Sequence, residues 1–297
     1  MIALVLVHAG LDVSLDLELG EPGPGQGAVR HRGGDRIVTT ARADRAALEW
    51  ALALTDRAAV LTVGPAQSAD AMAWALGRGA TGAVRIWGEA IEALDLPAMA
   101  RVVAAAVRRI APDVVVAGER GLAGATGALP ALVAARLGWP CVDGAIRLAL
   151  EEPGLVAERR LQGGRREELA IPCPAVVTVT ADSVEPRYVS VRARRDAARR
   201  GHEAWSLADL GLTGEAVSSA VKLRLERVDW PRPRPRRTAA SPPGPARSAA
   251  ERLRQLVGGA APGRGAAPTA QASRPVEGEP GAIADRILAF LEQHRFV

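Results

Sequence analysis

Residues 112–140 read PDVVVAGERGLAGATGALPALVAARLGWP. Val114 to Ala117 is a short, continuous apolar run, the pattern of a strand buried on both faces. A loop with glycines at 118, 121, 124 and 127 follows, and then a helical pattern from about Gly127 to Leu137. Strand, glycine turn and helix in this order open a βα unit. Glycine lets the backbone turn sharply and come close to a ligand. The unpaired amides and the dipole of a helix start favour an anion, so the loop predicts a phosphate site, with Thr126 adding a hydroxyl donor. The other reading is a tight strand-to-helix turn in which the glycines serve packing. No Gly-Lys-Ser/Thr or GxGxxG pattern occurs, so neither a Walker loop nor a dinucleotide fingerprint is present.

Upstream, the same alternation recurs. Ile2 to Val7, Ala59 to Val63 and Ala83 to Trp87 are apolar runs of strand length. Helical spacing appears from Asp44 (Ala47, Leu48, Ala51, Leu52), from Gln67 to Gly77 (Met72, Ala75, Leu76) and from Pro97 to Ile110 (Met99, Val102, Val103, Ala106). Asp44 reads as an N-cap. Gly20 to Gly34 is rich in Gly and Pro and reads as a loop. The pattern predicts an α/β fold with a doubly wound, mostly parallel sheet, whose ligands sit beyond the carboxyl ends of the strands.

Downstream, Val142 to Leu150, Leu155 to Leu161, Glu167 to Ile171 and Ala175 to Thr180 read as successive strands, with Gly163-Gly164 as a hairpin turn. They predict antiparallel strands added to the sheet. Glu185-Pro186-Arg187-Tyr188 then leaves the sheet, and its simplest reading is a loop with a surface Arg–Glu pair. Arg192 to Arg200 is a basic tract read as a solvated helix face. Beyond Trp230 the composition shifts to Pro, Arg, Ala, Gly and Ser, which cannot bury enough apolar surface to stay folded. Ala249 to Val257 is a candidate short helix within it. Ala282 to His294 is an amphipathic helix with Ile283, Ile287, Leu288 and Leu291 on one face. The expected organisation is an α/β domain over 1–230, a flexible linker over 231–280, and a docking helix over 281–297.

The net charge of +5 and pI near 10.3 raise the question of nucleic acid. The excess sits in local Arg tracts without interleaved aromatics, so no nucleic-acid partner is expected. Aromatics make up 3% of the chain, so the core must be built from Ala, Val and Leu. No stretch of 18 apolar residues occurs, and none is expected to span a membrane. The N-terminus MIALVLVHAG reads as a strand and not a signal peptide. Cys141 and Cys173 lie outside any CxxC or Cys/His cluster, which argues against a metal and fits a reducing, cytoplasmic setting. His8 follows the first strand, where a ligand or a plain strand end would serve equally well. No Ser/His/Asp-like setting is recognisable, and no catalytic residue is assigned.

Five segments together resemble the beta subunit of electron transfer flavoproteins, the family that includes the FixA-type proteins. Asp44 to Leu52, DRAALEWAL, resembles its D-x-x-A-L-E-x-A-L helix. Leu61 to Val84, LTVGPAQSADAMAWALGRGATGAV, resembles its V-x-x-G-P and A-L-x-x-G-A-D-x-A segments. Pro112 to Pro140 is similar to its P-D-L-V-x-x-G loop ending in T-G-x-x-x-A-x-x-L-G-x-P. Pro174 to Tyr188, PAVVTVTADSVEPRY, resembles its P-A-V-x-T-V and E-P-R-Y. Asp209-Leu210-Gly211 resembles its D-L-G. The resemblance covers Met1 to about Leu212 and the final helix.

It implies an adenine nucleotide alpha hydrolase-like fold with a C-terminal arm helix. It also implies a heterodimer with an alpha subunit that holds most of the FAD, while the beta subunit holds AMP or, in some branches, a second flavin. Electrons pass from dehydrogenases to a downstream acceptor, so the chain is an electron-carrier subunit rather than a stand-alone enzyme. By position, Arg187, Tyr188 and Val191 fall in the family's partner-recognition segment. The family's acidic D-D-D-x-N-Q is absent, and Ala123-Gly124-Ala125 stands there. The nucleotide contacts that remain are Ala9, Val63, Gly124, Thr126 and Gly127. The alternative is a non-catalytic binding or regulatory module that kept the fold and lost the nucleotide site. Divergent subunits of this kind also occur beside mycofactocin systems, and the resemblance permits that assignment.

Overall fold

The computed structural model describes residues 1–11, 17–19, 29–31, 38–92, 94–121, 126–151, 154–223 and 279–293. The chain divides into two compact units, Met1–Trp230 and Pro231–Val297. The first unit begins with β1 (Ala3–Leu6), β2 (Ala9–Leu11), β3 (Leu17–Leu19), β4 (Val29–His31), β5 (Val38–Thr40), α1 (Arg42–Leu54) and β6 (Ala58–Val63). It continues with α2 (Ala69–Gly77), β7 (Gly82–Ile86), α3 (Leu96–Ile110), β8 (Val114–Gly118) and α4 (Ala128–Leu137). Then come β9 (Cys141–Glu151), β10 (Gly154–Arg160), β11 (Arg166–Ile171), β12 (Ala175–Val179), α5 (Val191–Arg200), β13 (Glu203–Trp205) and α6 (Gly214–Ser218). The second unit carries α7 (Pro280–Gln293).

Among the described residues, nine strands form one sheet in the order β11-β10-β9-β12-β8-β1-β6-β7-β13. From β9 to β13 all neighbours are parallel, and β10 and β11 add antiparallel strands beyond β9. This is the expected doubly wound, mostly parallel α/β sheet with an antiparallel extension, but β12, read as one of the added antiparallel strands, instead lies inside the sheet between β8 and β9 and is parallel to both. Successive residues of a strand face opposite sides, and the two-sided burial of the central strands follows directly. Ala3, Val5, Val114, Val116 and Val177 pack with Ala46, Ala47, Leu48, Met72 and Ala75 from α1 and α2. Leu4, Leu61, Val115 and Val176 pack on the other face with Val102, Val103, Val107 and Val133 from α3 and α4. Each fully buried Leu or Val side chain contributes about 1.5–3 kcal/mol relative to exposure.

The helix ends show how local chemistry sets the boundaries. The carboxylate of Asp95 accepts from the Ala98 amide at 3.0 Å and caps α3, with Pro97 in the first turn. At its other end Ala111 turns left-handed (φ 51°) and Pro112 stops the helix. Asp44 departs from expectation. α1 starts at Arg42, its N-cap is Ala41, and Asp44 turns inward and is 4% exposed. The Gly/Pro-rich stretch read as a loop contains β4, paired antiparallel with β3. β13, a three-residue edge strand, carries no sequence signal of its own. In α7, Ile283 and Leu291 are half-buried, while Ile287 and Leu288 are more than half exposed. The candidate helix Ala249 to Val257 and nearly all of the 231–280 segment lie outside the described residues.

Candidate functional site

β1 has β6 on one side and β8 on the other. From β1 the chain winds through α1 to β6 and β7, then returns through α3 across β1 to β8. The winding reverses between β1 and β8, and in such sheets ligands occupy the crevice beyond the strand ends at that point. In register, Leu6 of β1 lies beside Ala117 of β8. His8 and the turn after Gly118 therefore meet at this edge.

One carboxylate ties the two exits together. Asp44 Oδ2 accepts from the His8 amide at 2.9 Å, and the Gly118 amide also donates to Asp44. A Cβ on Gly118 would stand 2.5 Å from Asp44 Oδ1 and 2.7 Å from Ala43 Cβ. Only a glycine lets β8 approach α1 this closely. Burial drives the Asp44 carboxyl up to about 7, against the pull of its two amide donors. Thr62 Oγ1 donates to the Val7 carbonyl at 2.7 Å and braces the same exit from β1. The His8 ring lies beside Gly121, and its Nε2 is buried without a hydrogen-bond partner among the described residues. Burial lowers the His8 pKa, which keeps the imidazole neutral near pH 7.

The sequence-predicted contacts distribute as follows. Ala9 opens β2, half-buried, and pairs with Thr40 of β5. Val63 ends β6, half-buried, at the same sheet edge. Gly127 caps α4 in a left-handed conformation (φ 68°), and a Cβ there would stand 2.5 Å from the Glu119 carbonyl oxygen. The glycine turn thus folds back on its own start. Thr126 is exposed, and its Oγ1 accepts from the Ala128 amide at 3.3 Å, leaving the hydroxyl proton for another partner. Gly124 lies outside the described residues. A cleft of about 590 Å³ adjoins this edge, lined among others by Glu119, Asp143, Arg159, Arg160 and Asp182. Among the described residues no group of three or more His, Cys, Asp or Glu could hold a metal ion, and no helix is long and apolar enough to cross a membrane.

An electron transfer flavoprotein domain matches residues 37–210. The chain belongs to the electron transfer flavoprotein beta family. It is 35% identical over 177 residues to an electron transfer flavoprotein subunit beta of Methylophilus methylotrophus, covering 58% of this chain and 66% of that relative. It is 28% identical over 205 residues to the subunit of the same name from Clostridium acetobutylicum, covering 63% of this chain and 79% of the relative. A third relative, the caffeyl-CoA reductase-Etf complex subunit CarD of Acetobacterium woodii, is 28% identical over 179 residues, covering 58% and 68%. The chain thus spans about two thirds of the length of the Methylophilus protein. His8 and Ala9 precede the span that matches the electron transfer flavoprotein domain. Val63, the glycine turn and the E-P-R-Y segment lie within it.

Within this family member the E-P-R-Y segment is fixed from beneath. Arg187 does not pair with Glu185 at the surface. Its Nε donates to Glu49 Oε2 at 2.6 Å, and Glu49 is 5% exposed on α1. Trp50 Nε1 donates to Ser183 Oγ at 3.0 Å, and Val189 packs against Gly77 of α2. Tyr188 is left 89% exposed and Val191, at the start of α5, 60% exposed. The basic tract is the outer face of α5. Arg192 and Arg199 lie 3.8 and 3.9 Å from Asp196, in solvent-exposed pairs worth little each. Sequence reasoning missed Glu49. A glutamate amid the small apolar residues of an inward helix face was its one local sign.

Arg187→Ala leaves the Glu49 carboxylate buried without its closest partner. The expected loss is about 2 kcal/mol in urea unfolding, below the 3–5 kcal/mol of a fully buried pair. Arg187 is half exposed, and the Arg78 guanidinium also acts on Glu49. A loss under about 0.5 kcal/mol would mean that the ion pair does not anchor the segment.

Proposed function

We propose that this chain is the beta-type subunit of a heterodimeric electron transfer flavoprotein. It helps hold FAD with an alpha subunit and relays electrons from a dehydrogenase to a downstream acceptor. The observation that carries this reading is the match of the electron transfer flavoprotein domain to residues 37–210. The flavin supplies the chemistry by taking up and releasing electrons. The chain's own contribution is a nucleotide pocket at the β1/β8 switch point and an exposed docking segment. The pocket is held by backbone groups of Ala9, Val63, Gly124 and Gly127 and by the Thr126 hydroxyl. The orphaned His8 Nε2 fits such a ligand. Tyr188 and Val191, projecting from a segment held by Glu49, fit an anchor for the dehydrogenase. The chain works in the cytoplasm on this reading, and 231–280 links the α/β domain to a docking helix over 281–297.

Co-expression of the full chain with an alpha-type subunit tests the proposal. The expected product is a yellow heterodimer whose flavin is bleached by a substrate-reduced dehydrogenase. A colourless complex that never takes up flavin sinks the subunit reading. Denaturing the complex and identifying the released small molecules tests the pocket. AMP or a second flavin at one per chain supports it, while flavin on the alpha subunit alone favours the module that lost its nucleotide.

A further inference from the structure

We propose that the His8 imidazole is a direct hydrogen-bond partner of a nucleotide phosphate at the β1/β8 switch point. This contact rests on the nucleotide-binding reading above and adds to it a residue outside the matched domain.

Three observations place the ring. The His8 amide is spent on Asp44, so the backbone leaving β1 is fixed in direction. The same carboxylate takes the Gly118 amide, so the ring and the glycine turn are held to one reference point. Gly121 then lies against the ring, where a Cβ would come 3.8 Å from His8 Cβ. A residue with no side chain at that point leaves the imidazole beside bare backbone.

The ring is also unfinished. Nε2 is buried and has no partner among the described residues. Buried polar atoms are nearly always hydrogen-bonded, and one left open at the ligand edge of a doubly wound sheet fits a bond completed by a ligand. A phosphoryl oxygen suits this atom better than a base edge. A neutral imidazole donates one N–H to it, and the anion then favours the imidazolium and strengthens the bond. The phosphoryl oxygen belongs either to a mononucleotide or to the pyrophosphate of a flavin dinucleotide.

AMP, adenosine and FAD are titrated separately into the full chain by calorimetry. His8→Phe keeps the ring volume and removes the donor, and His8→Gln restores a donor. His8→Phe is expected to weaken whichever of AMP or FAD the wild type binds by about tenfold or more. Adenosine affinity is expected to change by less than about twofold, and His8→Gln to recover part of the loss. The ligand-free His8→Phe chain is expected to melt no lower than the wild type, because an unpaired buried polar atom is gone. Equal nucleotide affinity in wild type and His8→Phe overturns the contact alone. Parallel losses for AMP and adenosine also overturn it, since they place the ring at the base or signal a folding defect. A wild type that binds neither AMP nor FAD overturns the nucleotide reading itself.

Discussion

Gly118→Ala is expected to destabilise the domain by about 3 kcal/mol, and Gly118→Val to prevent folding at 37 °C. The added Cβ would meet Asp44 Oδ1 at 2.5 Å, Ala43 Cβ at 2.7 Å and the Ala43 carbonyl carbon at 2.8 Å. Two of these belong to the backbone and Cβ of a helix packed on the sheet, so no side-chain rotation relieves them. α1 must move away from β8, and with it goes the carboxylate that joins the two strand exits. Gly88 supplies the control. Nothing lies within 4 Å of a Cβ built there, and its φ of −179° suits any residue. Gly88→Ala should therefore stay within about 0.5 kcal/mol of the wild type or gain slightly through the unfolded chain. Urea midpoints of the two variants are the measurement. If they shift alike, the close approach of β8 to α1 is wrong. If Gly118→Ala alone collapses, any nucleotide binding should be lost in the residual folded fraction too, since the crevice floor is the displaced element.

The parallel core was legible because its cause is local. Val114 to Ala117, Ile2 to Val7 and Ala59 to Val63 are continuous apolar runs, and burial on both faces demands that pattern. Gly163-Gly164 marked a turn because both adopt positive φ (76°), which other residues resist. What the sequence hid depends on partners far along the chain. Asp44 reads as an N-cap because an acid opening a helical pattern usually is one. Its actual donors are His8, 36 residues earlier, and Gly118. Arg187 has a glutamate two residues away, yet binds one 138 residues distant, because the segment lies down on α1. β13 went unread because a three-residue edge strand (Glu203–Trp205) carries no alternation. The site shows the same division. The glycine positions of the phosphate turn are visible as letters, but that Gly118 serves close packing against Asp44 is visible only once α1 is in place.

The proton on Asp44 should make the folded state lose stability as pH rises from about 4 to about 7. An unfolded aspartate titrates near 3.9, while burial raises the folded carboxyl to about 7. Between those values the folded chain holds a proton that the unfolded chain has released. Stability rises with pH only where the unfolded state binds more protons, so here it falls. About three pKa units correspond to about 4 kcal/mol across the interval. Other shifted groups also shape the profile. Asp95 and Asp209, whose pKa values are lowered by amide and hydroxyl donors, contribute stability that is lost only below the ordinary carboxylate range. His8 and His202 are lowered by burial and add stability as pH rises towards 6.5, opposing Asp44 in part. Comparison with Asp44→Asn isolates the carboxyl, because the amide oxygen still accepts from His8 and the group cannot titrate. Urea midpoints between pH 4 and 8 should fall more steeply for the wild type than for the variant, and the variant should be the more stable at pH 8. Parallel profiles would show that Asp44 is ionised throughout, held as a carboxylate by the His8 and Gly118 amides. In that case the crevice floor carries a full negative charge, which opposes the phosphate placed beside His8.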